Sequence, residues 1–272
     1  MLVPCGDTIE FFRMITNPHI TKAGELPLGP GVRLLSANSH GLVALDKPAG
    51  ILSHPNQSQA SKRALLNAEY NYDAELYTWQ QGAVEHCAWL VNRLDSPTSG
   101  VILLALNESI NRTIKQLFSR HKVHKVYYAL VKRVPSELVG SWNDRLIKRT
   151  YGSHKRILSE QMVSAKTRYE VQKVPIGGLP VTLLKLMPLT GRTHQLRIQC
   201  QKHRHPIIGD RTYGSFSFNK EMVIKTGEKR MMLHAGKISI RYLWDGRMHT
   251  FHAESTLPEA FNTVMRVRNK LA

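Results

Sequence analysis

The feature that most constrains the fold is a series of β-type runs joined by short turns. Such runs cover residues 42–45, 101–107, 125–132, 167–174 and 181–189, and two more flank Asp245-Gly246, a dipeptide typical of hairpins. Helical patterns separate these runs only occasionally. Strands linked mainly by turns predict an α+β sheet protein, and they argue against a doubly wound fold.

Three stretches favour helices. Apolar residues recur at helical spacing in residues 109–123, and Asn107 is placed to cap that helix. Residues 190–205 follow the turn at Gly191 and predict a second helix. Residues 60–70 favour a short third one.

Charge indicates the partner. The chain has 272 residues with 38 Lys and Arg against 20 Asp and Glu, a formal net charge of +18. A chain this basic is suited to a nucleic acid, because binding each phosphate releases counterions. Residues 145–156 carry five cations and no acid, which is consistent either with a solvated loop or with a loop that contacts phosphates.

The sequence also predicts where the protein works. No apolar run is long enough to cross a bilayer, and the N-terminal residues do not resemble a signal or transit peptide. Cys5, Cys87 and Cys200 are too few and too scattered for a disulfide framework, which favours a reducing compartment. We therefore expect a cytoplasmic protein.

A search for catalytic motifs leaves one candidate acid. Cys200, His203 and His205 lie close together in the sequence, but no second cluster completes a zinc site, so we expect no metal. The chain lacks a P-loop, a dinucleotide-binding glycine motif and a serine nucleophile elbow. Asp95 follows Arg93 closely on a turn-forming segment, and an arginine keeps a carboxylate charged and able to act as a nucleophile.

At this point the sequence resembles the RluA-type RNA pseudouridine synthases. RLDSPTSG (93–100) is similar to their signature loop, which has the approximate form H-R-L-D-x-x-T-S-G. The family's other segments follow in order and are similar to LDKPAG (45–50), KVYYALV (125–131), LTGRTHQLRIQCQKHRHPIIGDRTYG (189–214) and MLHAGKISI (232–240). The resemblance covers residues 33–262 and is most specific in the 189–214 block.

The resemblance implies a fold and a reaction. The expected catalytic domain has a bent, mainly antiparallel mixed sheet flanked by helices and loops, with an RNA cleft across it. Such enzymes detach a uracil from its ribose, rotate it and rejoin it through C5, and they need neither cofactor nor metal. We expect a substrate in rRNA or tRNA and a monomeric enzyme.

The resemblance also assigns three catalytic residues. Asp95 matches the essential aspartate, which acts either covalently or through a glycal route. Tyr127 matches a tyrosine that stacks on the base and is expected to help remove the C5 proton. Arg197 matches the arginine that pairs with the aspartate. Extruding the uridine costs roughly a few kcal/mol, and stacking recovers about 1–3 kcal/mol per base.

Four further residues match substrate-binding positions. Arg93 resembles a residue that fills the gap left by the flipped base, and Leu233 an apolar residue of the base pocket. Arg192 and His194 lie in the T-G-R-T-H motif and are predicted to bind substrate.

The sequence departs from the family pattern in places. Asn92 replaces the usual His, Lys132-Arg133 stand where a Gly is common, and residues 56–90 are long and polar. Residues 1–32 are predicted to be an arm or linker without an S4-like domain, and residues 33–272 the catalytic domain. The alternative is a catalytically inactive RNA-binding or chaperone protein on the same fold.

Overall fold

The computed structural model describes residues 26–55, 63–151, 157–175 and 179–267, which form twelve strands and four helices. The strands are β1 (Arg33–Ala37), β2 (Leu42–Lys47), β3 (Glu69–Asn71), β4 (Leu76–Gln81), β5 (Val84–Leu90), β6 (Ser99–Ala105), β7 (Val123–Lys132), β8 (Val139–Tyr151), β9 (Ile157–Lys173), β10 (Val181–Pro188), β11 (Leu233–Trp244) and β12 (Arg247–Glu254). The helices are α1 (Glu108–Ser119), α2 (Gln195–Lys202), α3 (Phe216–Thr226) and α4 (Glu259–Arg266).

The chain divides into two compact units. Unit 1 comprises residues 1–124 and 235–256, and unit 2 comprises residues 125–234 and 257–272. Each unit therefore takes two separate stretches of the sequence.

In unit 1, strand β6 is the centre of the sheet. It pairs antiparallel with β2, whose residues 42–47 lie opposite residues 100–105, and with the end of β5. Strands β3, β4 and β5 extend the sheet as antiparallel neighbours, and β12 pairs antiparallel with β11. The side chains of β6 are all buried, as expected for a central strand.

Helix α1 confirms the amphipathic pattern of its sequence. Ile110 and Ile114 are fully buried in the core of unit 1, together with Leu103, Ile240 and Phe251. The side chain of Asn107 accepts a hydrogen bond from the Ile110 N–H at 2.9 Å. That bond satisfies one of the donors left free at a helix N-terminus.

The predicted β11–β12 hairpin is also confirmed. Asp245 and Gly246 have φ angles of 47° and 73°, the left-handed values that a two-residue hairpin turn requires. Trp244 and Arg247 close the ladder on either side of the turn.

In unit 2, strands β7, β10, β9 and β8 follow one another, with each neighbouring pair antiparallel. Helix α2 begins at Gln195, within the predicted helical stretch. The core of unit 2 contains Leu130, Leu184, Met232 and Phe261, which are all fully buried. With the sheet of unit 1, this arrangement confirms the α+β class and the mainly antiparallel pairing.

Two local predictions were wrong. Residues 145–151 were expected to be a loop but belong to strand β8, while residues 152–156 lie outside the described residues. Residues 64–70 are not helical: Leu66 forms a bridge with Leu28, Ala64 forms one with Leu52, and Glu69 begins β3. Long-range pairing decides the conformation of this stretch, since Ala64, Leu65 and Leu66 are all fully buried.

The predicted N-terminal arm lies mostly outside the described residues, which begin at 26. Within residues 26–32, the Gly29 N–H donates to the Leu65 carbonyl at 2.8 Å, inside unit 1. The domain boundary at residue 33 stays a prediction. None of the helices in the described part of the chain has the length and apolar character needed to cross a membrane.

Candidate active site

Asp95 is presented by a closed turn in unit 1. The Thr98 N–H donates to the Asp95 carbonyl at 2.9 Å, and the four-residue turn contains Pro97, whose ring fixes its φ angle. Leu94 on one side is buried, whereas Asp95 itself is partly exposed. The turn therefore holds the carboxylate at an accessible position.

Ser53 fixes the residue before Asp95. Its hydroxyl donates to the Leu94 carbonyl at 2.7 Å and accepts from the Leu94 N–H at 3.0 Å, so one buried side chain binds both backbone groups. The Ser53 carbonyl in turn accepts from the hydroxyl of the buried Tyr77 at 2.8 Å. Burial raises the pKa of Tyr77, which keeps that donor protonated.

Lys47 fixes the residue after Asp95. Its ammonium is fully buried and donates to the carbonyls of Ser96 at 3.1 Å, Ile51 at 2.7 Å and Pro48 at 3.0 Å. The Gly50 N–H also donates to the Ser96 carbonyl, at 2.8 Å. A buried ammonium is stable only when its donors are satisfied, so Lys47 ties the LDKPAG segment to the turn.

Asn92, the departure from the family's usual His, has a structural partner. Its side-chain oxygen accepts from the Leu103 N–H at 2.9 Å, and the neighbouring Val91 N–H donates to the Leu103 carbonyl at 3.1 Å. The segment leading to Asp95 is thus anchored to the central strand β6. Gly100 has a φ of 109°, and a Cβ there would collide with the Ala235 carbonyl, so the close approach requires glycine.

Arg93 lies on the surface of unit 1. Its side chain is 61% exposed, and its guanidinium is 3.5 Å from the Glu75 carboxylate, which also binds Lys115 at 2.6 Å. The long distance and the exposure indicate a weak ion pair. A cation held loosely beside the Asp95 turn remains able to meet a phosphate or a base.

In unit 2, Arg197 forms a buried two-point ion pair with Asp210. Its Nε and Nη2 atoms donate to the two carboxylate oxygens at 2.7 and 2.9 Å, and the two side chains are only 7% and 0% exposed. Asp210 also accepts from the backbone N–H groups of Thr212 and Tyr213, at 2.8 and 3.0 Å. The predicted pairing of Arg197 with Asp95 stays a prediction.

The electrostatics of the pair follow from these contacts. Burial raises the pKa of Asp210, but the hydrogen bonds from Arg197 and the two backbone N–H groups outweigh burial and lower it overall. The Arg197 guanidinium also lies 5.0 Å from the centre of the Tyr213 ring. Arg197 is therefore charged, oriented and held from two sides.

His194 joins the same group of residues. It is the N-cap residue that precedes helix α2, with a left-handed φ of 53°, and its Nδ1 is 3.1 Å from the Tyr213 hydroxyl. Arg192 is partly exposed, and its Nε donates to the Ser164 carbonyl at 3.1 Å. Unit 2 thus brings His194 and Arg197 together through Tyr213.

Leu233 lies in the core of unit 2, and Tyr127 packs against that core. Tyr127 lies on β7 opposite Leu186, is partly exposed and packs against the core. Leu233 begins β11 and is 3% exposed within the same core. The pocket-lining role of Leu233 stays a prediction.

A buried polar network fixes helix α2 to the paired strands β8 and β9. Gln195 donates to Thr167 at 3.0 Å, Thr167 donates to Gln199 at 2.7 Å, and Gln199 donates to Asp144 at 2.9 Å. His203 then lies 3.0 Å from the same carboxylate. Because each member is buried or half-buried and has a partner, the network rigidly fixes helix α2, which carries Arg197.

Sequence reasoning missed several supporting residues. Lys47 and Asp210 lie inside the quoted motifs, which could have marked them, whereas no sequence signal marks Ser53. The Cys200, His203 and His205 cluster has other roles: burial raises the pKa of the Cys200 thiol, and His203 stacks on Trp142 at 4.9 Å. Within the described ranges, no group of three ligand-type side chains is placed to hold a metal.

A comparison with known proteins identifies the family to which the chain belongs. Residues 41–202 match the sequence profile of the RNA pseudouridylate synthase family. A solved human structure, RNA Pseudouridylate Synthase Domain Containing 4, superposes with a TM-score of 0.59 at 24% identity, covering 83% of this chain and 89% of that one. The latter match supports the fold.

Curated relatives narrow the class. The tRNA pseudouridine synthase C of Haemophilus ducreyi is 32% identical over 71% of this chain and 79% of its own. The dual-specificity RNA pseudouridine synthase RluA of Vibrio vulnificus is 27% identical over 78% of this chain and 79% of its own. The chain belongs to the RNA pseudouridylate synthase family and is of the RluA type. It is an RNA pseudouridine synthase, an isomerase, as the sequence predicted.

Proposed function

We propose that Asp95 is the catalytic carboxylate and that the substrate is a uridine in tRNA or rRNA. The observation that supports Asp95 is the way its neighbours are fixed. Buried Ser53 binds both backbone groups of Leu94, and buried Lys47 binds the Ser96 carbonyl. Catalytic groups must be held in place before the reaction, since small displacements are costly. The name of the Haemophilus ducreyi relative, tRNA pseudouridine synthase C, supports transfer RNA as a substrate.

The other site residues take supporting roles. Arg197 pairs with Asp95, Tyr127 stacks on the flipped uracil, and Arg93 occupies the space that the base leaves. The described geometry supports a charged and rigid Arg197, because Asp210 already fixes its guanidinium. Leu233 lines the base pocket.

Arg192 and His194 contact the RNA backbone or the base. Both precede the buried part of helix α2, and both are partly exposed. The net charge of +18 supports RNA as the partner. A monomeric, cytoplasmic enzyme without cofactor or metal remains our prediction.

Tritium release from RNA labelled at uridine C5 tests the reaction, because forming pseudouridine frees that hydrogen. We expect release by the wild-type protein from a tRNA or rRNA pool and a loss of about 10²- to 10⁴-fold or more for Asp95→Asn. Glu85→Gln, which changes an exposed acid of the same unit, serves as the control and should keep full activity. Equal activity of Asp95→Asn and wild type would refute the assignment.

Ser53→Ala tests separately whether the hydrogen bonds to Leu94 position Asp95. Removing the hydroxyl leaves both backbone groups of Leu94 without their partner, so we expect kcat to fall about tenfold while KM changes little. Ser53→Thr keeps the hydroxyl and should recover much of the rate. A purely structural role would instead lower Tm in Ser53→Ala without a selective effect on kcat.

A further inference from the structure

An aromatic cluster in unit 1 lies outside the site residues described so far. We infer that His54, Tyr70 and Tyr72 bind a second, unpaired base of the RNA substrate by stacking. This inference rests on the proposed function in taking RNA as the substrate and in taking Asp95 as the catalytic residue.

The cluster is built in layers from the core outward. Tyr77 is fully buried, and Tyr70 packs on it with ring centres 4.7 Å apart. His54 stacks on Tyr70 at 5.2 Å with an angle of 10° between the rings. Tyr72 meets both rings edge-on, at 5.2 Å from Tyr70 and 5.8 Å from His54.

Hydrogen bonds hold the outer rings in place. The Tyr72 hydroxyl donates to the Pro55 carbonyl at 2.5 Å, and Nδ1 of His54 lies 3.1 Å from the same oxygen. The side chain of Asn71 accepts from the N–H groups of Asp73 and Ala74, both at 3.0 Å, which fixes the turn that carries Tyr72. A ring already held in position loses little entropy on binding, which favours affinity.

Exposure distinguishes this cluster from a simple core. Tyr72 is 51% exposed although it is held from two sides, and His54 and Tyr70 are partly exposed. Exposed aromatic rings on a strongly basic protein are the usual platform for unpaired bases, because every base has a stacking face.

The cluster is joined directly to the Asp95 turn. His54 follows Ser53, whose hydroxyl binds both backbone groups of Leu94. The hairpin that carries Tyr70 and Tyr72 continues to Glu75, which pairs with Arg93. The aromatic rings and an exposed cation therefore flank the catalytic turn, and this places a nucleotide near the target uridine.

Tyr72→Ala tests the inference in steady-state tritium release and in filter binding of the same RNA. Loss of one stacked base should raise Kd and KM about 5- to 150-fold and leave kcat within about twofold. Tyr72→Phe keeps the ring and loses only the hydroxyl, so it should bind like the wild type. Phe216→Ala, which removes an aromatic ring that is 68% exposed in unit 2, is the matched control and should change Kd less than twofold.

Either of two results would overturn the inference. One is an unchanged Kd for Tyr72→Ala. The other is a weakened Kd in both Tyr72 variants together with a matching fall in Tm, which would assign the ring a structural role only. Filter binding tests the role of Tyr72 even if the wild-type protein releases no tritium. An absence of tritium release would count against the proposed function alone.

Discussion

Replacing Asp210 by Asn should strongly destabilise the protein, because it removes the carboxylate that binds the buried Arg197 guanidinium at two points. An Asn oxygen in the Oδ1 position can still accept from the Thr212 and Tyr213 N–H groups and from Nη2 of Arg197. The amide nitrogen then replaces Oδ2 and faces the Nε–H of Arg197, so that hydrogen bond and the negative charge are lost. Breaking a buried ion pair from one side costs about 3–5 kcal/mol. We expect a loss of that size in the free energy of unfolding.

Equilibrium unfolding in guanidinium chloride measures this loss, followed by tryptophan fluorescence and circular dichroism to check that both report one transition. Glu170→Gln is the matched control, since it removes the carboxylate of a more exposed pair with Lys185 at 2.9 Å. That change should cost less than about 1 kcal/mol. The contrast isolates burial as the cause.

A double-mutant cycle with Arg197→Met and Asp210→Leu completes the test. Replacing both partners by apolar side chains should cost clearly less than the sum of the single changes, with a coupling of at least about 2 kcal/mol. If Asp210→Asn costs no more than Glu170→Gln, or if the coupling is below about 0.5 kcal/mol, the explanation is wrong.

Two further predictions concern single side chains. Burial raises the pKa of Asp144, but hydrogen bonds from Lys202, Gln199 and His203 lower it to about 2 overall, so the contribution of Asp144 to stability is present above about pH 4 and is lost as pH falls toward 2. The difference in free energy of unfolding between wild type and Asp144→Asn, about 2 kcal/mol at pH 6, should therefore shrink over that range in urea titrations. A difference that does not change with pH would contradict the assignment. Asn92→Ala should lower the free energy of unfolding by about 1–2 kcal/mol, because it leaves the Leu103 N–H unpaired, whereas Asn92→Asp keeps the acceptor and should lose less. Equal losses for the two variants in thermal unfolding would contradict this role of the Asn92 side chain.

Much of the sheet could be predicted from the sequence, because its strands show strong apolar runs or clear turn residues. The buried run in β6, the capped helix α1 and the Asp245-Gly246 hairpin are examples. Strand β8 was missed because one of its inward positions is an acid. Trp142, Asp144 and Leu146 alternate with exposed residues, and the charge of Asp144 hides that period-two pattern.

The candidate site divides in the same way. Asp95, Tyr127 and Arg197 were assigned by resemblance to motifs, and their roles remain proposals. Lys47 and Asp210 lie inside the quoted motifs, but which groups they and Ser53 contact could not be found from the sequence alone. Ser53 and Leu94 are distant in the chain, and Asp210 binds Arg197 across 13 positions. Such contacts depend on tertiary structure, which local patterns do not encode.

The division of the chain into units has a consequence for biosynthesis. Unit 1 takes strand β12 and most of β11 from residues 235–254, after the whole 125–234 stretch of unit 2, and unit 2 takes helix α4 from residues 259–266. Neither core is therefore complete on the ribosome until nearly all of the described chain has been synthesised. The nascent chain exposes unpaired strand edges throughout that time, so protection by chaperones should matter more for this enzyme than for one whose domains are contiguous.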